Sequence, residues 1–379
     1  MFLTVILASL ALLSLVLTLW QWLVAKRFPL HQRVSDFTHA PAVTVLKPLK
    51  GCDEETAQCL SSWLEQEYSG AVQVLFGVAS AADPVCSLVR ELIAAHPQRD
   101  AQLALCEQSL GANAKVSTLV QLQRQAKHEI LVISDADVRV PPDFLVNVIA
   151  PLRDPDVGLV NSFYRLANPS TPAMRWEAVA INADFWSQIL QSQSLKPLDF
   201  ALGAAMATTQ SRLEKSGGFI ALVDYLADDY QLGNKIAQQG GRIVLCPVVV
   251  ECWSSPMSWR AAWSHQLRWA RTIRVCQPLP FFFSILSNAT LWPLLWLLAY
   301  PTMPTLSIAA LCWLFRIVTA SNHQARLTGT SVRPVYFWMV LLKDLLHAVL
   351  WALAFLGNRI EWRGEAYRVR TRGRLVKLR

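Results

Sequence analysis

Long apolar segments lie at both ends of the chain, and a region of mixed polarity separates them. Residues 2–24 contain no charged side chain and, as a helix, would cross about 30 Å of hydrocarbon. We interpret residues 1–25 as an uncleaved membrane anchor, because the run is too long for a secretory signal and bulky residues follow it. The cations that come next, Lys26 and Arg27, predict that the following domain is cytoplasmic.

Three further apolar segments lie near the C-terminus, within residues 279–357, at 281–300, 303–320 and 335–356. We predict transmembrane segments here. The third contains Lys343 and Asp344, so we expect it to face protein or to form a partly re-entrant hairpin. Three crossings would place the basic residues 358–379 outside, against the positive-inside rule. We therefore favour two crossings, with the tail on the cytoplasmic side.

Between these ends, short apolar runs alternate with helix-like stretches. The runs of strand length are 43–46, 72–76, 103–105 and 130–133, and the helix-like stretches are 54–67, 84–95 and 114–126. This alternation predicts an α/β domain over residues 40–255, with a mostly parallel sheet covered on both faces. Such domains bind ligands beyond the carboxyl ends of the strands, so polar side chains at those ends are candidate functional groups.

Residues 256–278 have a different pattern, with apolar side chains three or four positions apart at Trp259, Trp263, Leu267, Ala270 and Ile273. A basic or polar residue follows each of them. We predict an amphipathic helix that lies in the membrane interface with its aromatic side toward the lipid. A surface helix packed on the α/β domain is the alternative.

Composition is consistent with a membrane protein. Hydrophobic residues make up 53% of the chain, which is high for a soluble protein. The formal net charge is +8, and residues 358–379, with eight basic and two acidic side chains, account for most of it. We interpret this tail as a partner of anionic lipid headgroups or of an anionic donor, and we predict no nucleic-acid binding. The eight cysteines form no CxxC pair and no zinc-ligand pattern, so neither disulfides nor zinc are expected.

A pair of acids follows the apolar run 130–133. Asp135 and Asp137 are one residue apart, at the edge where this architecture presents side chains to a ligand. Two such carboxylates can hold a divalent cation that bridges a sugar diphosphate, and their oxygen atoms suit Mg²⁺ or Mn²⁺. We expect a metal site here, while a simple turn or helix cap is the structural alternative.

Two more acids, Asp228 and Asp229, precede a helix predicted over residues 230–239. Acids at this position cap a helix and interact favourably with its dipole, which is a sufficient reason for them in isolation. The functional alternative is that one of them is a general base that deprotonates an acceptor hydroxyl.

The third candidate motif lies in the amphipathic helix, at residues 265–269. Arg268 can bind diphosphate oxygens through its guanidinium, and Trp269 can form an apolar wall for an acceptor. Alone, an arginine–tryptophan pair on such a helix would be an ordinary interfacial feature. Its position after the two pairs of aspartates favours a functional role.

With the three motifs in this order, the chain resembles the inverting glycosyltransferases of the GT-A fold. It closely resembles the ceramide glucosyltransferase family, glycosyltransferase family 21, and the bacterial hopanoid glycosyltransferases grouped with it. The resemblance covers nearly the whole chain. It is carried by residues 46–53, 83–84, 111–115, 134–135, 217–219, 227–230, 268–269, 362–364 and 367–368.

The resemblance implies a role for each matching acid. Asp83 is expected near the uridine of the donor. Asp135 is expected at the metal and the diphosphate, with Asp137 as a second acid of that site. Asp229 is the expected catalytic base, which leaves Asp228 as its neighbour.

The remaining matches are basic, amide or aromatic residues. Arg268 and Trp269 correspond to the closing arginine–tryptophan pair of the family, and Lys115 is placed to reach the donor phosphates. The family usually has arginine or glutamine three residues before that arginine. This chain has His265 there, with Gln266 beside it, and either could serve as the hydrogen-bond donor.

The other departure lies at the uridine end, where the family's acid-rich stretch is reduced to Asp83. The resemblance implies inverting, metal-dependent transfer of a hexose from a UDP-sugar, with UDP-glucose favoured, to a lipid hydroxyl by a multi-pass membrane enzyme. Ceramide is the expected acceptor, and a hopanoid that receives N-acetylglucosamine is the alternative. A processive polysaccharide synthase would need more spans, and a non-catalytic lipid-binding relative is disfavoured because the acids of the three motifs are intact.

Overall fold

The computed structural model describes residues 2–36, 38–331, 333–362 and 364–378. Arg363 and Arg379 of the predicted basic tail lie outside these ranges. The strands are β1 (Val43–Leu49), β2 (Val72–Val78), β3 (Asp100–Leu105), β4 (Ile130–Ser134), β5 (Val138–Arg139), β6 (Val157–Leu166), β7 (Ala205–Thr209), β8 (Arg242–Cys252), β9 (Arg359–Trp362), β10 (Glu365–Val369) and β11 (Leu375–Lys377).

The helices follow the alternation that the sequence predicts in the first half of the chain. They are α1 (Phe2–Arg27), α2 (Thr56–Leu64), α3 (Val85–Ala95), α4 (Ala114–Gln123), α5 (Phe144–Ile149), α6 (Pro172–Val179), α7 (Trp186–Gln193), α8 (Gln210–Lys215), α9 (Asp228–Gln238), α10 (Trp259–Cys276), α11 (Pro278–Phe283), α12 (Leu291–Ala299), α13 (Met303–Thr328) and α14 (Trp338–Phe355).

The first eight strands form one sheet in the order β3-β2-β1-β4-β7-β6-β8-β5. Strands β3, β2, β1 and β4 run parallel, and β6 runs parallel to β8. Strand β7 is antiparallel to both β4 and β6, so it joins the two parallel groups. The mostly parallel α/β sheet expected from the sequence is therefore confirmed.

Both faces of this sheet are buried, because successive residues of each strand point into different cores. In β1, Val45 belongs to one core with Trp63 of α2, and Leu46 belongs to the other with Leu119 of α4. In β4, burial on both faces gives the unbroken apolar run 130–133. Strands β1, β2 and β4 end at the same edge of the sheet, and the candidate site lies beyond that edge.

Three helices in the described ranges, α1, α13 and α14, are long and apolar enough to cross a membrane. The predicted span 281–300 is not one helix, because Pro278–Ser287 and α12 meet at an angle of 55°. The Asn288 side chain explains the break: its Oδ1 accepts the backbone N–H of Leu291 at 2.9 Å and so starts a new helix. The bent element is therefore the first C-terminal segment, whereas α14, in the third segment, is continuous.

Four buried charges join α13 and α14 to the α/β domain. Asp184, in the π-helical turn Ala180–Phe185 between α6 and α7, accepts Arg316 of α13 at 2.8 Å and also pairs with Lys343. Asp344 of α14 lies 2.9 Å from Arg316 and 2.6 Å from Lys343. Two positive and two negative charges balance, which offsets part of the cost of their removal from water. At these positions the third apolar segment faces protein.

The C-terminal tail is folded against the α/β domain. Strands β9, β10 and β11 form an antiparallel sheet. Two backbone hydrogen bonds join it to the loop before α9, from Leu375 N–H to Asp224 O at 2.7 Å and from Leu226 N–H to Gly373 O at 3.0 Å. Since the two parts are bonded, they lie on the same side of any membrane, with an even number of crossings between them. This contact favours two crossings over three.

Helix α10 occupies the range predicted for the amphipathic helix, but other helices cover its middle. Trp263 stacks on Trp176 of α6 with ring centroids 6.1 Å apart, and Ala262 is fully buried. Trp259 and Ile273 remain exposed. The middle of α10 is therefore packed on protein. Contact with the membrane interface stays a prediction for the two ends of the helix.

Candidate active site

A lysine joins two of the predicted acids at the carboxyl edge of the sheet. Asp135 follows β4, Lys115 lies in the first turn of α4, and Asp228 begins α9. The Lys115 Nζ lies 2.7 Å from Asp135 Oδ1 and 3.0 Å from Asp228 Oδ2. Burial alone would lower the pKa of Lys115, but the carboxylates of Asp135 and then Asp228 raise it above its usual range. Lys115 is therefore charged at neutral pH and links the two acid motifs.

Asp229 lies half-buried in the first turn of α9, where its Oδ1 accepts the backbone N–H of Tyr230 at 2.7 Å. Burial and then the charge of Asp228 raise the pKa of Asp229 to about 7, while Lys115 opposes the rise. A carboxyl with such a pKa can accept a proton at neutral pH. The structure thus distinguishes the two adjacent aspartates, because Asp228 forms an ion pair with Lys115 and the Asp229 carboxyl can accept a proton.

Gly203, in the loop before β7, leaves room for the Asp229 carboxylate. A Cβ atom at position 203 would lie 2.7 Å from Asp229 Oδ2, well inside ordinary contact distance. Any larger side chain would therefore displace the carboxylate. The sequence pattern contains no signal for this approach, because Gly203 and Asp229 lie on different elements.

Asp137 completes the acid pair after β4. Asp137 as a whole residue is exposed, but protein atoms surround its carboxyl group. This burial of the carboxyl, and then the charge of Asp135, raise the pKa of Asp137 to about 6. Within the described ranges, no group of three or more His, Cys, Asp or Glu side chains is placed to hold a metal. Mg²⁺ sites often use one or two carboxylates with substrate phosphates, so Asp135 and Asp137 fit a cation that binds together with a diphosphate.

A second lysine lies behind the acid pair, and we did not assign it a role from the sequence. Lys47 of β1 is fully buried, and its Nζ donates to Ser134 Oγ at 3.2 Å and to the carbonyl oxygen of Asp135. Burial lowers the pKa of Lys47 to about 8. Lys47 therefore fixes the turn that carries Asp135. Its place within an otherwise apolar strand is the one local signal that could have identified it.

Asp83 lies in the loop after β2, at the same edge of the sheet. Its Oδ1 and Oδ2 accept the Gly51 N–H at 3.0 and 3.1 Å, and Oδ1 also accepts the Val85 N–H at 3.1 Å. Asp83 therefore orders the loop after β1 and the start of α3. Its position is compatible with the expected uridine end of the site, and its contact with a nucleotide stays a prediction.

Helix α10 supplies a wall of aromatic rings near the acids. The Trp269 ring lies 6.3 Å from Tyr164, 5.6 Å from Phe185 and 5.2 Å from His265, measured between centroids. Burial, then the nearby Cys252 and Asp229, raise the pKa of Tyr164 well above its usual value. The wall is thus close to the Asp229 carboxyl. Arg268 is half-buried on the same turn of α10.

A buried glutamate lies beneath this wall. Glu177 of α6 is fully buried, and its Oε1 lies 2.5 Å from His265 Nδ1 and 2.8 Å from Gln266 Nε2. Gln266 is almost fully buried and its amide donates to Glu177, so its contact with a substrate stays a prediction. Its role is to hold α10 against α6. The His265 side chain remains 30% exposed.

The mostly parallel sheet, with the acid pair at its carboxyl edge and Asp229 beside it, is a glycosyltransferase domain of the GT-A fold. The same fold is present in the mannosyltransferase PcManGT from Pyrobaculum calidifontis, solved in complex with GDP-Man and Mn²⁺. That structure superposes with a TM-score of 0.57 and 22% identity, over 93% of this chain and 99% of that one.

The family model described as glycosyl transferase family 21 matches residues 5–375, and the chain belongs to this family. Ceramide glucosyltransferase 3 of Caenorhabditis elegans is 20% identical over 362 residues, which cover 92% of this chain and 77% of the relative. The ceramide glucosyltransferase of Candida albicans is 33% identical over 121 residues, which cover 29% of this chain and 22% of the relative. The family resemblance found in the motifs is therefore confirmed.

Proposed function

We propose that this glycosyltransferase moves a hexose from a UDP-sugar, with UDP-glucose favoured, to a hydroxyl group of a membrane lipid, with inversion at the anomeric carbon. The names of the relatives make ceramide the first acceptor to test. The observation that carries the mechanism is the carboxyl of Asp229, whose pKa is near 7, next to acids that Lys115 links.

In the proposed reaction, Asp229 takes the proton of the acceptor hydroxyl while the hydroxyl oxygen attacks the anomeric carbon. The bond from that carbon to the diphosphate breaks as the new bond forms, so the configuration inverts and UDP leaves. Lys115 and Arg268 provide positive charge for the departing diphosphate. Trp269 would form an apolar wall for the acceptor.

Asp135 and Asp137 are the residues that would hold a divalent cation, either Mg²⁺ or Mn²⁺. Such a cation would neutralise negative charge on the leaving diphosphate. The proposal rests on the donor set, because two carboxylate groups with phosphate oxygens are typical ligands of these ions. Lys115 would hold Asp135 in position at one of its two oxygen atoms.

We also propose a multi-pass membrane protein whose catalytic domain is cytoplasmic. Helix α1 ends in Lys26 and Arg27, next to the α/β domain, and basic residues favour the cytoplasmic side. The folded tail lies on the same side as the domain. A reporter fused after the last residue tests this orientation, and an external signal would contradict it.

The pKa of Asp229 predicts an acid limb in the pH profile. A base acts only when deprotonated, so we expect kcat/KM to rise about tenfold per pH unit up to about pH 7 and to be constant above it. Initial rates at low substrate concentration, from about pH 5 to about pH 9, measure this dependence. A profile without a change near neutrality would be evidence against Asp229 as the base.

The close approach of Gly203 to Asp229 predicts a loss of activity in Gly203→Ala. We expect kcat to fall at least about tenfold, because displacement of a reacting group by about 1 Å can cost that much or more. Gly357→Ala is the control, since a Cβ there meets no atom closer than 3.9 Å. Equal rates for the two variants would show that position 203 tolerates a methyl group.

One transfer assay tests the proposed function. Membranes that contain the protein are incubated with labelled UDP-glucose or UDP-N-acetylglucosamine, with ceramide or a hopanoid polyol, and with or without EDTA. We expect glucosylated ceramide, and its loss in EDTA with recovery in excess Mg²⁺ or Mn²⁺. N-acetylglucosamine on the hopanoid would reassign both donor and acceptor. No product from any pair, with Asp229→Ala equal to the wild type, would exclude the enzyme.

A further inference from the structure

The outer face of the C-terminal sheet is basic. Ile360, Tyr367 and Val369 are buried on its inner face, in a core shared with Leu226 of the α/β domain. The exposed arginines of the sheet and its turn are Arg359, Arg368, Arg370, Arg372 and Arg374. Of these, Arg374 alone forms a salt bridge within the described ranges. Arg359 of β9 lies directly opposite Arg368 of β10, and like charges in this position destabilise a sheet.

Helix α10 brings two more arginines to the junction of α14 and β9. Arg271 donates to the carbonyl oxygen of Arg359, and Arg274 donates to the Asn358 side chain. Neither forms a salt bridge in the described part of the chain, where the Nε atom of each also has no hydrogen-bond partner. Burial and then the charge of Arg274 lower the pKa of Arg271. The junction therefore has an excess of positive charge, which a bound anion would balance.

Apolar side chains at the end of α14 border this junction. The Arg274 guanidinium lies 5.6 Å from the centroid of the Phe355 ring, and both Phe355 and Leu356 are exposed. Arg359 follows Phe355 by four residues, so it lies within about 14 Å of the end of α14. Arginines beside exposed apolar side chains suit a phospholipid better than free phosphate, because a phospholipid supplies an anionic headgroup together with acyl chains.

The C-terminal sheet is attached to the chain on both sides of Asp229. Before it, the Leu226 N–H donates to the Gly373 carbonyl oxygen at 3.0 Å. After it, Gln231 Nε2 donates to the Arg372 carbonyl oxygen at 2.6 Å. A ligand that orders the sheet therefore favours the observed position of the helix start that carries Asp229.

Four arginines form the basic junction: Arg271, Arg274, Arg359 and Arg368. We propose that the basic junction binds the headgroup of an anionic phospholipid, and that the bound lipid activates transfer because the ordered sheet holds Asp229 in position. The activation rests on the proposed function, whereas lipid binding can be measured without any transfer. A zwitterionic headgroup is a poor ligand, because its own cation is repelled by the arginines.

Lipid binding is measured on full-length protein in a neutral detergent, by titration with phosphatidylglycerol, phosphatidylcholine or inorganic phosphate at matched ionic strength. For the wild type, we expect phosphatidylglycerol to raise Tm by about 2–4 °C and the other two to leave it unchanged. A rise of the same size with phosphatidylcholine would contradict the proposal. The same rise with inorganic phosphate would assign the junction to a free anion and overturn the proposal as well.

The double variant Arg359→Gln with Arg368→Gln tests the junction, and we expect it to fold because both side chains are exposed and their mutual repulsion is removed. It should lose the rise in Tm with phosphatidylglycerol. The control is Arg90→Gln with Arg124→Gln, which removes two exposed charges on and directly after helices of the α/β domain. The control should respond as the wild type does, and equal responses of the two double variants would refute the site.

Activation is measured in nanodiscs of phosphatidylcholine alone or of equal parts of phosphatidylcholine and phosphatidylglycerol. We expect phosphatidylglycerol to raise the wild-type kcat about fivefold, a coupling of ordinary size, and to have no such effect on Arg359→Gln with Arg368→Gln. Gln231→Leu removes the hydrogen bond to Arg372 and keeps every charge. It should retain the rise in Tm and lose part of the activation.

Three results would overturn parts of this account in different ways. A higher KM for the UDP-sugar in the arginine double variant, in phosphatidylcholine alone, would assign these arginines to the donor site and refute the inference. A rise in Tm without any change in wild-type kcat would refute the activation. Absence of transfer to every lipid, with the rise in Tm retained, would refute the proposed function and support the lipid site.

Discussion

Replacement of Asp229 by asparagine will lower kcat by a factor of about 10² to 10⁴, the usual contribution of a general base. The amide keeps the size of the side chain and can still accept the Tyr230 N–H, but it cannot take the acceptor proton. Binding of the UDP-sugar will change little, because the ion pairs of Lys115 with Asp135 and Asp228 are unaffected. Single-turnover rates and donor titration of the purified variant measure the two quantities separately.

Asp156→Asn is a suitable control for this experiment, since Asp156 is exposed and remote from the cleft. It should retain the wild-type rate. An Asp229→Asn variant within a few-fold of the wild type would assign the base to another group. The pH profile distinguishes that case as well, because the acid limb near pH 7 should vanish with Asp229.

Replacement of Arg316 by methionine is expected to destabilise the protein by about 3–5 kcal/mol. Arg316 pairs with both Asp184 and Asp344, and its loss leaves two buried carboxylates against the single charge of Lys343. Since Asp184 is in the α/β domain and Asp344 is in α14, the loss should loosen the attachment of the domain to its membrane helices. Thermal unfolding in detergent and limited proteolysis measure both effects.

The double variant Arg316→Met with Asp184→Asn restores neutrality, because Lys343 and Asp344 remain as a pair. We expect it to be more stable than the single Arg316→Met variant, as coupled neighbours give non-additive effects. If instead the single variant unfolds at the wild-type temperature, the cluster makes no net contribution. Activity measured at low temperature would show whether the catalytic cleft itself is intact in each variant.

The predicted bounds of helices and strands were most accurate where one local sequence pattern determines the secondary structure. The run 130–133 is apolar because both faces of β4 are buried, and the structure extends it by one residue to Ser134. The helix expected over 230–239 is α9, which begins two residues earlier at Asp228. The predicted segment 281–300 is bent instead of forming one helix, because the side chain of Asn288 accepts the backbone N–H of Leu291 and starts a second helix.

For the candidate active site, the sequence indicated the acids but did not distinguish the role of Asp228 from that of Asp229. Asp228 and Asp229 are equivalent by position, and the family resemblance alone distinguished them. In the fold, Lys115 reaches Asp228 from another helix, whereas burial and then the charge of Asp228 raise the pKa of Asp229 to about 7. Gln266 is next to His265 in the chain, and both side chains contact Glu177 Oε1. Gln266 is almost fully buried, whereas 30% of the His265 side chain is exposed, and this difference is not encoded in the local pattern.

The α/β domain, the apolar segments and the order of the acidic and basic motifs are readable from the amino-acid sequence, because hydrophobic periodicity and strand ends are local properties. The contact of Glu177 with His265, the ion pair of Arg316 with Asp184, and the sheet that the basic tail forms beside α9 are visible in the folded chain alone. These pairs lie 88 and 132 residues apart in the first two cases. No periodic pattern encodes such contacts, since they depend on how separate elements pack and on the balance of buried charge.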